Sequence, residues 1–484
     1  MAATPNGADA PQAEAPYVPR LVLWRNRVES STPVVWWLPI ALIVASEYKL
    51  RKRANDQTLS GSVDPFIALE LLVYAVVGTY LLIRLRPRIR PHVIVVWTIG
   101  WCLTAAASTL YSPFPVLALV RGVQLVIIVL TVLQFVNDGD VALARRFAHG
   151  YVVLVSVSIA IGLAYVAPQS GEQAGRFTWL FTHSVVAGSM LAMSCVILFA
   201  MWLTHRVAQL PWARWVYALL LIVNLVSLVR TRTRGSIGAA LLAILVITLL
   251  WLRAAGKRDL LVSAIVVVST LAFTVGGSIV QYYLRNEDAE KLASFNNRTE
   301  VWTIAIAAFE RRPLHGLGLT ASRGVFLAET GLGGAHNAYI NVLVDVGLLG
   351  MFWWGGLIVL ITAAGWRVRR RARRTPGAEP LVFDTLAIVG LMVSQVVNGI
   401  TAEYMGAGVG AAALMLYLTG AWVVIAEDAT DRIARENHTA ALASRFERRS
   451  RPRPVGRARP VRPSPGVGVT VQSPQDSQNS QMPS

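Results

Sequence analysis

Cysteine and charged side chains are scarce in this sequence. It has 2 cysteines among 484 residues, and only 15% of the residues are charged. Cys102 and Cys195 both lie inside apolar runs, which argues against a disulfide framework and against a cysteine metal site. The sequence also contains no P-loop, no glycine-rich dinucleotide fingerprint and no nucleophile elbow followed by a Ser-His-Asp order. The common sequence signatures of nucleotide binding and serine hydrolysis are therefore absent.

Acidic residues are fewer than basic ones. The chain has 27 Asp and Glu against 45 Lys and Arg, which gives a formal net charge of +18. A basic balance can indicate nucleic acid binding, but Lys and Arg are also retained in the cytoplasmic loops of membrane proteins, where they set the topology. Eight arginines between Arg445 and Arg462 could contact anionic lipid headgroups. We therefore expect the basic residues to face lipid and cytoplasm, and we expect no nucleic acid partner.

Apolar residues, in contrast, are abundant. They make up 54% of the chain, and the mean hydropathy is +0.51. Apolar runs of roughly 20 residues, the length that crosses a bilayer, alternate with short polar bursts. The sequence thus predicts an all-α polytopic integral membrane protein. About 12 transmembrane helices are expected, at residues 34–48, 66–85, 92–111, 115–136, 149–167, 180–204, 212–229, 236–252, 260–282, 347–366, 382–401 and 405–426.

The two ends of the chain differ from this central part. Residues 1–31 are polar and rich in Pro and Ala, so we expect a disordered cytoplasmic leader without a cleavable signal peptide. Residues 427–484 are basic and rich in Pro, Ser and Gln, so we expect a disordered cytoplasmic tail. Residues 32–426 then form the transmembrane domain, in which any active site must lie.

The basic loops predict the orientation of the helices. With a cytoplasmic N-terminus, alternate loops carry most of the Arg and Lys, as the positive-inside rule requires. The loop with Lys49 and Arg53 disagrees with this pattern. The topology places the longest loop, 283–346, on the outer side. Helical periodicity within that loop predicts two helices, at 299–312 and 336–347.

Arginines are concentrated on the predicted outer side, where topology disfavours them. Guanidinium groups make bidentate contacts with phosphate oxygens and stay charged at any pH, so a cluster of them suits a phosphate or diphosphate ligand. Each arginine could instead contact lipid phosphate at the membrane interface. The candidates are Arg176, Arg232, Arg234 and Arg298.

Other ionisable residues leave alternatives open. Arg121, inside the fourth predicted span, could pair with Glu70 or contact a substrate. His336 could accept a proton from a hydroxyl nucleophile, or it could be a hydrogen-bonded structural residue. Asp345 could orient a partner or cap a loop. His315 has no second ligand at the spacing that a metal site needs, so no metal site is expected.

Five short motifs follow one another in the second half of the chain. They are Arg234-Gly235 at the start of a span, Arg298-x-x-x-Trp302, Pro313-Leu-His-Gly316-Leu-Gly318, His336-Asn337-Ala-Tyr339 and Asp345-x-Gly347-Leu-Leu-Gly350. This order resembles the O-antigen ligase and polymerase superfamily. The domain shared by that superfamily corresponds to a region like 215–365, and its many-span architecture corresponds to 34–426. One position departs from the pattern, because Thr233 stands where the family usually has serine.

The resemblance implies an all-helical, GT-C-like glycosyltransferase in the inner (plasma) membrane, with its active site on the periplasmic or outer face. Such an enzyme moves a glycan from a polyprenyl diphosphate carrier, undecaprenyl diphosphate or similar, to an acceptor hydroxyl on a glycan, lipid or protein. The resemblance implies no metal and no other cofactor. The reaction belongs to the biosynthesis of cell-envelope polysaccharide.

The resemblance also implies roles for individual residues. Arg234 and Arg298 match the arginines that would bind the donor diphosphate, and His336 matches the histidine that would deprotonate the acceptor. Arg232 and Arg176 are expected to assist the two arginines. The supporting residues are Asn337, Asp345 and Arg121.

Elementary chemistry agrees with this reading but leaves alternatives. Fixed guanidinium groups offset the charge that develops on a departing diphosphate and can replace the divalent cation of soluble nucleotide-sugar transferases. Attack from the opposite sugar face would invert the anomeric carbon. A ligase that attaches a finished glycan and a polymerase that joins repeat units share these motifs. A secondary transporter or flippase is the alternative from another class, but it would bury more ionisable groups at mid-membrane.

Overall fold

The computed structural model describes most of the membrane-embedded chain. The described residues are 35–48, 62–164, 175–178, 183–204, 212–257, 298–330, 334–406 and 409–450, with scattered residues between 259 and 274. Within them every regular element is helical and no strand occurs. Ten of the described helices are long and apolar enough to cross a membrane. The predicted all-α polytopic membrane fold is confirmed.

The described part of the chain contains thirteen α-helices, which we number in chain order. They are α1 (Trp37–Glu47), α2 (Pro65–Tyr80), α3 (Val93–Ala107), α4 (Pro115–Asp138), α5 (Val141–Ala164), α6 (Ser184–Thr204), α7 (Ala213–Arg230), α8 (Arg234–Ala254), α9 (Arg298–Arg311), α10 (Ala321–Thr330), α11 (Ala338–Ala372), α12 (Val382–Gly399) and α13 (Ala411–Ser450). A π-helical turn, Leu81–Leu85, extends α2, and a 3₁₀ turn, Ser108–Leu110, extends α3.

The number of spans differs from the prediction in two places. Helix α1 has 11 residues, which is short against the roughly 20 residues of a regular membrane crossing. The predicted span at 260–282 lies largely outside the described residues. The other ten predicted spans are matched by helices of membrane-crossing length, and the total of about 12 stays a prediction.

Helices α6, α12 and α13 form the centre of the bundle. Their most apolar windows are 89%, 72% and 89% buried, whereas that of α2 is 28% buried. Small residues allow the central helices to approach closely. A Cβ added to Gly188 of α6 would lie 2.9 Å from Thr233 Cβ, and one on Gly390 of α12 would lie 2.4 Å from Ile247 Cδ1. The backbones of α6, α8 and α12 therefore pack with little space between them.

A buried ion pair joins helices at one end of the bundle, which we call the basic end. Helix α5 begins at Val141, upstream of the predicted start at 149. Arg145 consequently lies within the helix, with Nε 3.1 Å from Oδ1 of Asp384 on α12. Asp384 is fully buried, and its Oδ1 also accepts the indole N–H of Trp422 at 3.0 Å. Arg145 therefore helps to hold α5 against α12.

Helix α13 corrects the prediction for the C-terminal tail. The sequence predicts disorder from residue 427, but the helix continues to Ser450. Arg90 Nη1 lies 3.0 Å from Asp428 Oδ2 on this extension. The composition of residues 427–484 as a whole, basic and rich in Pro, Ser and Gln, does not indicate this helix. The leader at 1–31 and the rest of the tail lie outside the described residues.

The opposite end, which we call the loop end, carries the long loop. Both helices predicted in this loop are present, as α9 and as the first turns of α11; α10 was not predicted. Helix α11 is kinked at Gly347, where φ is 62° and ψ is −162°. The loop passes against this kink, because Leu348 N–H donates to the Pro313 carbonyl at 2.8 Å. A Cβ on Gly347 would lie 2.5 Å from the Leu314 backbone, so the contact requires glycine.

Candidate active site

Four chain segments meet at the loop end. The residues at the meeting point are His183 before α6, Arg234 at the start of α8, His336 before α11 and Glu403 after α12. The starts of α6 and α8 are joined directly, since Thr233 Oγ1 donates to the Ser184 carbonyl at 3.1 Å. The site is therefore assembled from helix ends that lie far apart in the sequence.

A chain of hydrogen bonds fixes three helices beneath this point. Ser236 Oγ on α8 donates to Asn398 Oδ1 on α12 at 3.0 Å. The Asn398 amide then donates to Ser189 Oγ on α6 at 2.8 Å, and Ser189 donates to the Val185 carbonyl at 2.9 Å. Hydrogen bonds between buried side chains hold membrane helices in register. This chain sets where α8 and α6 begin, and hence where Arg234 and His183 lie.

A short loop after α12 connects Arg234 with His336. A Cβ on Gly235 would fall 1.6 Å from Thr401 Oγ1, so the first turn of α8 touches the Thr401 side chain with nothing between. Two residues further on, Glu403 Oε2 accepts the His336 backbone N–H at 3.4 Å. Arg234 and His336 thus approach the same short loop from two sides.

The backbone of His336 is strained. Its φ is 52°, in the left-handed region that a residue with a Cβ adopts at an energetic cost. The Glu403 carboxylate occupies the space where a Cβ on Gly334 would lie, so a larger residue at position 334 would displace this carboxylate. The half-buried His336 ring lies near the His183 ring, with centroids 6.4 Å apart and planes 25° apart. Strained, over-determined residues of this kind cluster at functional sites.

Asn337 fixes the start of the helix that follows His336. Its Oδ1 accepts the backbone N–H groups of Tyr339 at 2.9 Å and Ile340 at 3.1 Å. This is the N-cap arrangement that asparagine favours. Asn337 holds the first turn of α11 and, through it, the position of His336.

Arg176 braces the turn between α7 and α8. Its Nε donates to the Thr231 carbonyl at 3.1 Å, and Nη2 lies 3.5 Å from the Arg232 carbonyl. Arg232 is exposed and has φ of 52°. The structure thus brings Arg176 next to the turn that carries Arg232 and Arg234, and the predicted arginine candidates of these two segments lie together.

Arg298 begins α9, and its side chain lies outside the described part. Trp302, one turn later on the same helix, donates its indole N–H to the Ala335 carbonyl at 3.0 Å. Residues four apart share a helix face. The Arg298-x-x-x-Trp302 motif therefore attaches the helix of Arg298 to the residue that precedes His336.

Asp345 caps a loop. It is buried, and its Oδ1 accepts the Ser322 backbone N–H in the first turn of α10 at 2.7 Å. Its own carbonyl accepts the Gly318 N–H at 2.6 Å. The structure thus favours capping over orientation of a partner, the two alternatives that the sequence left open, and it places the Gly316-Leu-Gly318 motif against α11.

His315 lies in another part of the loop end. It is exposed, and its ring packs on Tyr111 at 4.7 Å between centroids. The Tyr111 hydroxyl donates to the His315 carbonyl at 2.6 Å. Burial raises the pKa of this hydroxyl, which keeps it protonated as the donor. Among the described residues no group of three or more His, Cys, Asp or Glu is placed to hold a metal ion.

Arg121 belongs to the interior of the bundle. Its Nη1 lies 3.2 Å from Glu70 Oε1 on α2 and 2.8 Å from Gln124 Oε1 on its own helix. Gln124 Nε2 also donates to Glu70 Oε1 at 2.8 Å. Of the two alternatives from the sequence, the structure shows the ion pair. None of these partners belongs to the loop-end site.

Helix dipoles favour an anion at the loop end. Helices α6, α8 and α11 all begin there, and helix N-termini carry partial positive charge. Thr233, the residue before α8, makes no side-chain cap, because its hydroxyl is directed to Ser184. The three helix starts and the arginines thus add positive potential at the same place.

Sequence reasoning missed two residues of this site. His183 was not considered, since a single histidine before an apolar run carries no motif. Glu403 is part of no motif, so the sequence assigns it no role. Glu403 contacts the His336 backbone, and His183 lies beside the His336 ring. Both depend on tertiary contacts that sequence spacing does not reveal.

Part of this chain is similar in sequence to known proteins. Residues 219–355 match the family model described as O-antigen ligase. A curated O-antigen ligase from Pseudomonas aeruginosa is 28% identical over 146 residues, which cover 29% of this chain and 33% of that protein. The match thus spans about one third of the relative's length. The matched segment contains Arg234, Arg298 and His336. Residues 219–355 of this chain are thus similar to the O-antigen ligase family.

Proposed function

We propose that the chain is a glycosyltransferase of GT-C-like architecture that moves a glycan from a polyprenyl diphosphate carrier to an acceptor hydroxyl. The observation that carries the proposal is the contact of Arg234 and His336 with one short loop, through Gly235 on Thr401 and through the His336 N–H on Glu403. An anion-binding group and a proton acceptor are thereby held at one end of the bundle. We place this end on the outer face of the plasma membrane, as the basic loops predict.

The donor diphosphate would lie against the start of α8. Arg234 and Arg298 would bind its oxygens, with Arg232 beside them and Arg176 holding their turn. Guanidinium groups match phosphate oxygens geometrically, and preorganised positive charge stabilises a leaving group as its charge develops. These fixed cations do the work that a divalent metal does in other transferases.

The acceptor hydroxyl would lie against His336. The imidazole takes the hydroxyl proton while the oxygen attacks the anomeric carbon from the face opposite the carrier. The bond between the anomeric carbon and the phosphate oxygen breaks, and the polyprenyl diphosphate leaves with the bonding electrons. One base suffices, since the diphosphate is a stable anion, and the anomeric carbon is inverted.

The ionisable residues inside the bundle do not favour a transporter. Arg121 and Glu70 are within hydrogen-bond distance of one another, and so are Arg145 and Asp384. In both pairs the charge of each side chain is balanced by its partner. They resemble structural ion pairs more than a substrate pathway.

The glycan profile of a deletion strain tests the proposal. A ligase predicts full-length glycan that accumulates on the lipid carrier while the acceptor stays undecorated. A polymerase predicts glycan of a single repeat. An unchanged profile contradicts both. In purified form, transfer from an undecaprenyl diphosphate-linked glycan should persist in EDTA; loss in EDTA with recovery on adding Mg²⁺ would overturn the metal-independent mechanism.

A further inference from the structure

His183 is a second imidazole at the site, and nothing in the roles assigned above uses it. It lies immediately before α6, and its ring is half-buried. Its ring centroid lies 6.4 Å from that of His336, and the two planes are 25° apart. The two imidazole rings therefore lie next to one another at the loop end.

The hydrogen bond at Nδ1 fixes the tautomer of His183. Nδ1 lies 3.2 Å from the Val185 backbone nitrogen, and a backbone N–H can only donate. Nδ1 must therefore present its lone pair, which places the proton of the neutral ring on Nε2. Because the two nitrogens lie on roughly opposite edges of the ring, the Nε2–H is directed away from the helix that Nδ1 caps.

His183 lies near the residues proposed to bind the donor and near the residue proposed to activate the acceptor. On one side, the Ser184 carbonyl accepts the Thr233 hydroxyl at 3.1 Å, next to Arg234. On the other side lies the His336 ring. His183 thus lies next to the start of α8, which carries the proposed diphosphate-binding arginine, and next to the proposed acceptor base.

We propose that His183 is a further catalytic residue, which donates its Nε2–H to a phosphate oxygen of the lipid-linked donor. This inference rests on the proposed function. The neutral imidazole keeps its proton throughout and gives only a hydrogen bond, which strengthens as charge develops on the departing diphosphate. The partner is thus a polyprenyl diphosphate, and the contact adds to those of the arginines.

Two substitutions separate this role from simple helix capping. Asparagine reproduces the Nδ1 edge of histidine and is a strong N-cap. His183→Asn should therefore keep the cap and lose the N–H donor at the position of Nε2. Glutamine reaches the position of Nε2 and restores a donor. We expect His183→Asn to lower kcat about 100-fold with an unchanged melting temperature, and His183→Gln to recover part of that loss.

A protection experiment on the wild-type protein does not depend on any variant. Diethyl pyrocarbonate modifies neutral imidazole, and mass spectrometry reads each histidine separately. Undecaprenyl diphosphate should slow the modification of His183. The exposed His438 on α13 is the matched control and should react at the same rate with and without the lipid.

The outcomes separate the two proposals. If His336→Ala is inactive while His183→Asn retains wild-type kcat and the lipid gives no protection at His183, then His183 is a helix cap and the inference is wrong. If His336→Ala keeps full activity, the proposed function itself is wrong. Protection of His183, together with loss in His183→Asn and partial recovery in His183→Gln, is the result we expect.

Discussion

The interior and the loop end of this bundle use their special residues in different ways. In the interior and at the basic end, charges are paired: Arg121 with Glu70, and Arg145 with Asp384. At the loop end the distinctive feature is backbone strain. Arg232, His336 and Thr320 have φ values of 52°, 52° and 61°. Arg86, at the C-terminal end of α2, is the other such residue in the described chain, in a position where left-handed backbone is common.

The comparison teaches that an ionisable residue inside a membrane domain does not by itself mark an active site. The position of Arg121 inside a predicted span made it a candidate for substrate contact, but its partners are structural. Strain at His336, by contrast, requires surrounding contacts that hold it, and Glu403 and Asn337 supply them. Substitutions in the two regions should therefore separate activity from stability.

The largest expected effect is on activity at the loop end. His336→Ala removes the proposed base and should lower kcat about 10²–10⁴-fold with an unchanged melting temperature. His315→Ala is the matched control, because this exposed histidine packs on Tyr111, and it should keep activity. Initial rates of glycan transfer in purified protein measure both. Equal transfer rates for the two variants would contradict the assignment of His336, and not His315, as the base.

The next effect is on stability at the basic end. Arg145→Ala leaves the buried Asp384 carboxylate without its cation and should destabilise the fold by about 3–5 kcal/mol. The kcat per folded molecule should not change. Thermal unfolding in detergent and the transfer rate are measured on the same sample. A variant of normal stability with low kcat would place Arg145 in the reaction and contradict the comparison.

A smaller effect is expected where the two helix ends meet the loop after α12. Gly235→Ala places a methyl group on Thr401 Oγ1, so that loop or the start of α8 must move, and a misplacement of about 1 Å can cost up to 100-fold in rate. Thr401→Gly in the same chain makes room for the methyl group. Recovery of the transfer rate in the double variant is the expected result; a double variant as slow as Gly235→Ala would show that this contact does not position the site.

The smallest effect concerns the cap of α11. Asn337→Ala should cost about 1 kcal/mol of stability and should lower activity in proportion to the displacement of His336. Asn337→Asp keeps an acceptor for the Tyr339 and Ile340 N–H groups and should restore both. If aspartate restored stability but not activity, Asn337 would have a role beyond the cap.

The sequence predicted the membrane fold, ten of the spans and the two loop helices, because apolar length and helical periodicity depend on local composition. It did not predict the helical extension beyond 427, which the composition of the tail conceals, or the pairing of Arg145 with Asp384, which joins segments distant in the sequence. The same reason explains why His183 and Glu403 were missed. The motifs placed Arg234 and His336 in one site, but the physical link through Thr401 and Glu403 is visible only in three dimensions.

Donor binding compared with transfer tests the central claim most directly. Full-length protein in lipid nanodiscs is given a radiolabelled undecaprenyl diphosphate-linked glycan, and both bound and transferred glycan are measured. We predict that His336→Ala binds the donor as tightly as wild type but transfers the glycan about 10²–10⁴-fold more slowly, while Arg234→Ala binds the donor at least about tenfold more weakly, the loss of a charge-assisted contact. Wild-type transfer by His336→Ala, or unchanged binding and transfer by Arg234→Ala, would contradict the account.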